Sequence, residues 1–301
     1  SPKKKGAQGD EFIQAPDYDV FKKYYDSCGG IIKLVDIAPE CDVRGDFVEK
    51  ASKLCTVSIA HTATDYDGAV DAFKKGVTHA THLYNAMSGL AHRAPGVVGA
   101  VFDNENVCGE LICDGIHIHP AVVRTTFKLM PERVCVISDA MRLSGVEDGG
   151  QGMLGVNMVT VKDGKATLPD GTIAGSVTNL HAELKNLVSW GIPLETAVRA
   201  MTLTPAKEIG MENEMMRSAE MEFLNRSSAA PENFSSSYSS RTNALTTRIA
   251  PTFSCTTPFT ASYLRNISLK YFIALGMSTT IITPRNAIAT RNTSESFALM
   301  E

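Results

Sequence analysis

"CTVSIAHTATDYDGAVDAFKKGVTHATHL", residues 55–83, sets two apolar β-type runs on either side of a helical pattern. The runs are "CTVSIA" (55–60) and "GVTHATHL" (76–83); between them "DGAVDAFKKG" (67–76) carries apolar residues at helical spacing. The same kind of run recurs in "IIKLVDIA" (31–38), "ELIC" (110–113) and "RVCVISD" (133–139), with a second helical pattern in "AVVRTTFKLM" (121–130). Strands alternating with helices predict a parallel sheet with crossover connections, either doubly wound or closed into a barrel. "VNMVTVKDGKATLPDG" departs from that plan and predicts a β-hairpin turning at Asp163-Gly164. "SVTNLHAELKNLVSWG" and "PLETAVRAM" then add two helices, the first closed by Gly191.

This α/β pattern runs through residues 1–211, and the character changes from about Glu212. The stretch "RSSAAPENFSSSYSSRTNALTTRIAPTFSCTTPFT" is rich in Ser and Thr and shows neither helical nor strand periodicity. Gly276 is the only glycine after Gly210, whereas a compact α/β domain uses glycine in its turns. Residues 212–301 therefore read as a Ser/Thr-rich tail, disordered or foreign to the domain.

The 301 residues are 44% hydrophobic, enough for a substantial core, and the formal net charge is −4. That balance argues against a general nucleic-acid binder, which needs a basic face. The seven cysteines form no C-x-x-C pair, and residues such as Cys135 sit inside apolar runs, which fits a reducing, cytoplasmic setting. No signal peptide and no apolar run of about 20 residues is present, so neither secretion nor membrane spanning is expected.

Titratable residues fall at the ends of the β-type runs. His61 ends "TVSIAHT", His82 ends "THATHL", His117 follows "LICDGIH", and Asp139 ends "VCVISDA". In a (β/α)₈ barrel the C-terminal strand ends are where catalytic residues gather. A lone histidine is more often a satisfied core residue than a ligand, but four strand ends carrying such groups together predict a site. Two histidines and a carboxylate also suit a hydrolytic metal centre: neutral imidazoles bind Zn²⁺, and Asp139 is placed to take a proton from water. His79, alternating along a strand, and His119, beside Pro120 at a helix start, read as structural.

Taken in order, "SPKKKGAQ", "DIAPE", "AHTATDYDGAVDAFKKGVTHATHLYNAM", "HRAPGVVGA", "CDGIHIHP", "VISDAM", "GTIAGS" and "TPAKEIG" resemble the N-acetylglucosamine-6-phosphate deacetylases of the amidohydrolase superfamily. The resemblance covers residues 1–211 and implies an incomplete (β/α)₈ TIM-type barrel of the amidohydrolase type. It implies that His61 and His82 ligate a divalent metal, zinc by expectation, and that Asp139 is the catalytic acid/base. Asn85, Ala86 and His117 then match substrate-holding positions, and Arg93 an arginine that reaches the sugar phosphate across a homodimer interface. Ala7 and the Ile173–Ala174–Gly175 turn match backbone positions lining the amino-sugar pocket. The implied substrate is a small amino-sugar phosphate, with no nucleic-acid or membrane partner.

The departures set a second expectation. The family's metal-binding glutamate lies in an EGP motif just before the KKGA stretch, and this chain opens at Ser1, after that point. Glu40 in "APE" follows the next strand and is not expected to replace it. The sequence therefore predicts a fragment. The alternatives to a working hydrolase are a non-catalytic product of a truncated gene, at most a sugar-phosphate binder, and, more weakly, a dihydroorotase-like enzyme.

Overall fold

The computed structural model describes residues 1–214. From residue 215 onward the expected tail lies outside the described residues. In chain order the elements are α1 (Tyr18–Ser27), β1 (Leu34–Ile37), α2 (Phe47–Ala51), β2 (Thr56–Ile59), α3 (Tyr66–Lys75) and β3 (Val77–Ala80). There follow α4 (Gly96–Asp103), β4 (Cys108–Leu111), α5 (Pro120–Leu129) and β5 (Val134–Val136). An antiparallel unit of β6 (Gln151–Leu154), β7 (Asn157–Lys162) and β8 (Lys165–Thr167) precedes α6 (Leu180–Ser189), α7 (Leu194–Met201) and α8 (Leu203–Glu208).

The first five strands form one sheet in the order β1-β2-β3-β4-β5, and every pairing is parallel. A doubly wound sheet reverses direction at a switch point, and this order has no reversal. Steady winding one way is the barrel plan, so the topology decides between the two alternatives that strand–helix alternation leaves open. All residues of β4 and β5 are buried, as expected of parallel strands covered on both faces.

Local chemistry fixes the crossovers. Helix α3 starts where the Asp65 carboxylate accepts from the Gly68 N–H at 2.9 Å and ends at Gly76, whose φ is 122°. Its Ala69, Ala72 and Phe73 enter the core while Lys74 and Lys75 stay outside. Helix α5 begins with Pro120 in its first turn, and the His119 ring accepts from the Ala121 N–H at 3.2 Å, so His119 is a helix cap.

The strands are shorter than their apolar runs because the run ends turn into loops. The predicted hairpin is present, with Asp163 at φ 51° and Gly164 at φ 70°, the two left-handed residues a tight type I′ turn requires. Strand β6, ahead of it, was not predicted and extends the hairpin to three strands. Its Ala7-, Met141- and Val159-containing core is separate from the main one. The described cysteines are all free, and no helix among the described residues is long and apolar enough to cross a membrane.

Candidate active site

The loops after β2, β3 and β5 open into one cavity of about 720 Å³ at the C-terminal edge of the sheet. His61, His82 and Asp139 occupy corresponding places just beyond those strands, and all three have left-handed backbones, with φ 42°, 35° and 45°. A non-glycine residue held there costs about 1–2 kcal/mol, and such strain persists only where the surroundings enforce it. Ala86, also cavity-lining, has φ 50°. Ala7, Asn85, His117, Ile173, Ala174 and Gly175 line the same cavity.

The two histidine rings are edge-to-face with centroids 4.7 Å apart. Burial lowers the pKa of each, and the mutual repulsion of the charged forms adds to the effect at His61, so both imidazoles are held neutral. His61 Nδ1 lies 2.7 Å from the Lys4 carbonyl, to which it donates, leaving Nε2 as the free nitrogen. Gly6, with φ 61°, allows this approach: a Cβ there would sit 3.2 Å from His61 Cε1. His82 Nδ1 is buried without a hydrogen-bond partner in the described structure. Neutral, adjacent imidazoles with such an orphaned nitrogen fit a divalent metal. Among the described residues no group of three or more His, Cys, Asp or Glu side chains is arranged to hold one.

Asp139 is half-buried, and burial pushes its carboxyl up to about 6, with the charges of Glu110 and Asp114 raising it further and His117 opposing. The 173–176 turn is pinned beside it, because the Ser176 N–H donates to the Asp139 carbonyl at 2.8 Å and Met141 N–H donates back to Ser176 at 2.9 Å. His117 is oriented by Asp114, whose carboxylate lies 2.7 Å from Nδ1 and also accepts from the Ile116 and His117 N–H groups. Burial raises the Asp114 carboxyl, but the His117 bonds outweigh it and bring it below the ordinary range. Asn85 Nδ2 donates to the His82 and Leu83 carbonyls at 3.3 Å. Arg93 is the exception: it is exposed, does not line the cavity, and its Nη1 lies 2.7 Å from His92 Nε2.

Two cavity-lining carboxylates were missed in the sequence. Asp36, on β1 and open to the cavity, accepts from Thr81 Oγ1 at 2.6 Å; desolvation by the surrounding walls, with the charge of Glu110 adding, pushes its carboxyl up to about 6. Glu110, on β4, accepts from the His82 N–H at 3.2 Å and meets His79 Nε2 at 3.0 Å. Asp36 stands inside the apolar run 31–38 and Glu110 opens the run 110–113, whereas the signal that picked out Asp139 is a run ending on an acid. Glu40 does not line the cavity; it accepts from Thr62 Oγ1 at 2.5 Å and Ala63 N–H at 2.6 Å, bracing the loop after His61.

A model of the amidohydrolase family matches residues 43–215. N-acetylglucosamine-6-phosphate deacetylase of Bacillus subtilis (strain 168) is 39% identical over 189 residues, covering 62% of this chain and 48% of that protein. The Vibrio furnissii protein of the same name is 36% identical over 53% of this chain and 40% of its own length. The crystal structure of N-acetylglucosamine-6-phosphate deacetylase from Pasteurella multocida superposes with a TM-score of 0.66 at 32% identity, over 71% of this chain and 56% of that one. The chain thus spans about half the length of the curated relatives it matches.

Proposed function

Because the chain belongs to the amidohydrolase family, we propose that its cavity hydrolyses the acetamide of N-acetylglucosamine 6-phosphate to glucosamine 6-phosphate and acetate. The observation carrying this reading is the convergence of His61, His82 and Asp139, each on strained backbone at a strand end, on one cavity. His61 and His82 would hold a divalent metal, zinc in our reading. When bound, such an ion supplies Lewis-acid polarisation of the amide and a more acidic water.

The chain's own residues divide the rest of the work. Asp139 takes the proton of the attacking water and returns it to the departing amine nitrogen, the role of a general base turned acid. His117, with one ring nitrogen committed to Asp114, turns the other to the sugar or to the developing oxyanion. Asn85 and Ala86, with Ala7 and the 173–175 turn, form the walls against which the amino sugar is oriented. Arg93 binds the phosphate of a substrate held by a second copy, which makes the working unit a homodimer.

The direct test is acetate release from N-acetylglucosamine 6-phosphate by the zinc-supplemented chain, with His61→Ala as control. Sugar-phosphate binding without acetate release would favour the binder over the hydrolase. Arg93→Ala should raise KM about 10–100-fold, from about 1.5–3 kcal/mol for a charged hydrogen bond, with little change in kcat. The effect should vanish for N-acetylglucosamine lacking the phosphate; an equal rise for both substrates would remove Arg93 from phosphate binding. Gly6→Ala, placing a methyl 3.2 Å from the His61 ring, should weaken Co(II) binding about tenfold. Unchanged affinity by titration would show that His61 is not held from that side.

A further inference from the structure

We propose that Glu208 and His79 are positioning residues that act through Glu110 on His82, so that helix α8 fixes one metal-binding imidazole of the site. The functional weight of this inference rests on the reading of His82 as a ligand; its structural content does not.

His79 is fully buried in β3, with Nε2 3.0 Å from Glu110 Oε1 and Nδ1 2.9 Å from Glu208 Oε2. A neutral imidazole has one N–H and cannot donate to carboxylates on both sides. Both ring nitrogens therefore carry hydrogen, and the ring is a cation clamped between two acids. The clamp fixes Glu110 at one oxygen while its other oxygen accepts from the His82 N–H at 3.2 Å. The Glu110 carbonyl also accepts from the Leu83 N–H at 2.8 Å. Glu110 thus grips two successive amides where the chain turns left-handed, at His82 φ 35°. Strained backbone of that kind needs such enforcement.

The far end of the clamp is tied down as well. Glu208 closes α8, and its carbonyl accepts from Thr56 Oγ1 of β2 at 2.5 Å. The connection α8 to β3 to β4 to His82 consequently joins residues 129 apart in sequence at its first step. An apolar contact could dock α8 equally well but could not orient a carboxylate toward an amide.

The test uses the 301-residue chain carrying Glu208→Gln, which keeps size but removes charge. The His82 amide should exchange with deuterium at least about tenfold faster, while the Ile59 and Val134 amides change little. Co(II) affinity should fall about 10–100-fold, the usual effect of losing an outer partner of a metal ligand. In a Glu110→Gln background, Glu208→Gln should add less than about twofold to either readout, since both act along one path. Unchanged His82 exchange despite a lower melting temperature would make the clamp purely structural, and multiplicative effects in the double variant would break the path; either overturns the proposal. A chain that binds no Co(II) before substitution would remove the ligand reading, and His82 exchange alone would then decide the positioning. If Glu208→Gln does not fold, Glu208→Asp, which withdraws the carboxylate by one methylene, should show the same pattern in smaller measure.

Discussion

Asp139→Asn is expected to lower turnover by about 10²–10⁴ while leaving metal content nearly intact. The amide matches the carboxylate in shape but cannot accept the proton that water must lose. Burial, with Glu110 and Asp114 adding and His117 opposing, places the Asp139 carboxyl at about 6. A base works ionised, so kcat/KM should rise with pH through the Asp139 titration, which a bound cation moves below its metal-free position, and then level, and the residual activity of the variant should lack that limb. The stability effect has the opposite sign. The folded pKa lies above the ordinary 3.8, so the favourable contribution of the protonated form is complete below about 3.8 and lost as pH rises through about 6. The metal-free variant should therefore melt higher than the unsubstituted chain at pH 7–8 and equally at pH 3.5, a stability–function trade at a buried base. Full turnover by Asp139→Asn would rule the residue out as proton acceptor.

The strands of the parallel sheet were legible because each lies in a short apolar run, fully buried in β4 and β5, as "RVCVISD" around β5 shows. The strand-end residues were legible for a related reason. An apolar run that ends on His or Asp has placed a polar group where the barrel plan puts its loops. Helix α4 was not, because "GVVGAVFD" is apolar on every side and has no period to detect; the structure buries it from Gly96 to Val101. Helix α1 failed for the opposite reason, since Phe21 is its only buried residue. Strand β6 carries alternating exposed and half-buried positions over four residues, too short and too wet to stand out.

The site was less legible than the fold wherever a residue's meaning lies in a distant partner. Asp36 and Glu110 look alike in sequence, single acids in apolar strands. Asp36 depends on Thr81 in β3, and Glu110 on His79 and the His82 amide. His79 is buried in β3 as its alternation suggests, but its two carboxylate partners lie 31 and 129 residues away, beyond any local pattern. Arg93 was assigned by resemblance alone, and it lies exposed, outside the cavity.

His79→Leu should destabilise the fold by about 3–5 kcal/mol, the cost of leaving buried acids without their counter-charge. Leucine fills much of the ring's volume, so the loss is electrostatic more than steric. Burial disfavours the charged ring, but Glu110 and Glu208 outweigh it and hold its pKa well above the ordinary value. That contribution is present below the ordinary histidine pKa and is lost as pH rises through the raised one. At Glu208 burial again opposes, yet the bond from His79 keeps the carboxyl below its ordinary value, so its share appears above that value and fades as pH falls through the lowered one. The penalty for His79→Leu should accordingly be greatest between those limits, around neutral pH, and shrink in acid as Glu208 takes up a proton. Adding Glu110→Leu and Glu208→Leu should recover much of the loss, because an apolar set of similar volume has no ions to desolvate. Denaturant midpoints for the single and triple variants across pH 4–8 decide the matter. A single variant as stable as the parent at pH 7 would mean that the three groups share no buried charge, and the account of how β3, β4 and α8 are held together would have to be abandoned.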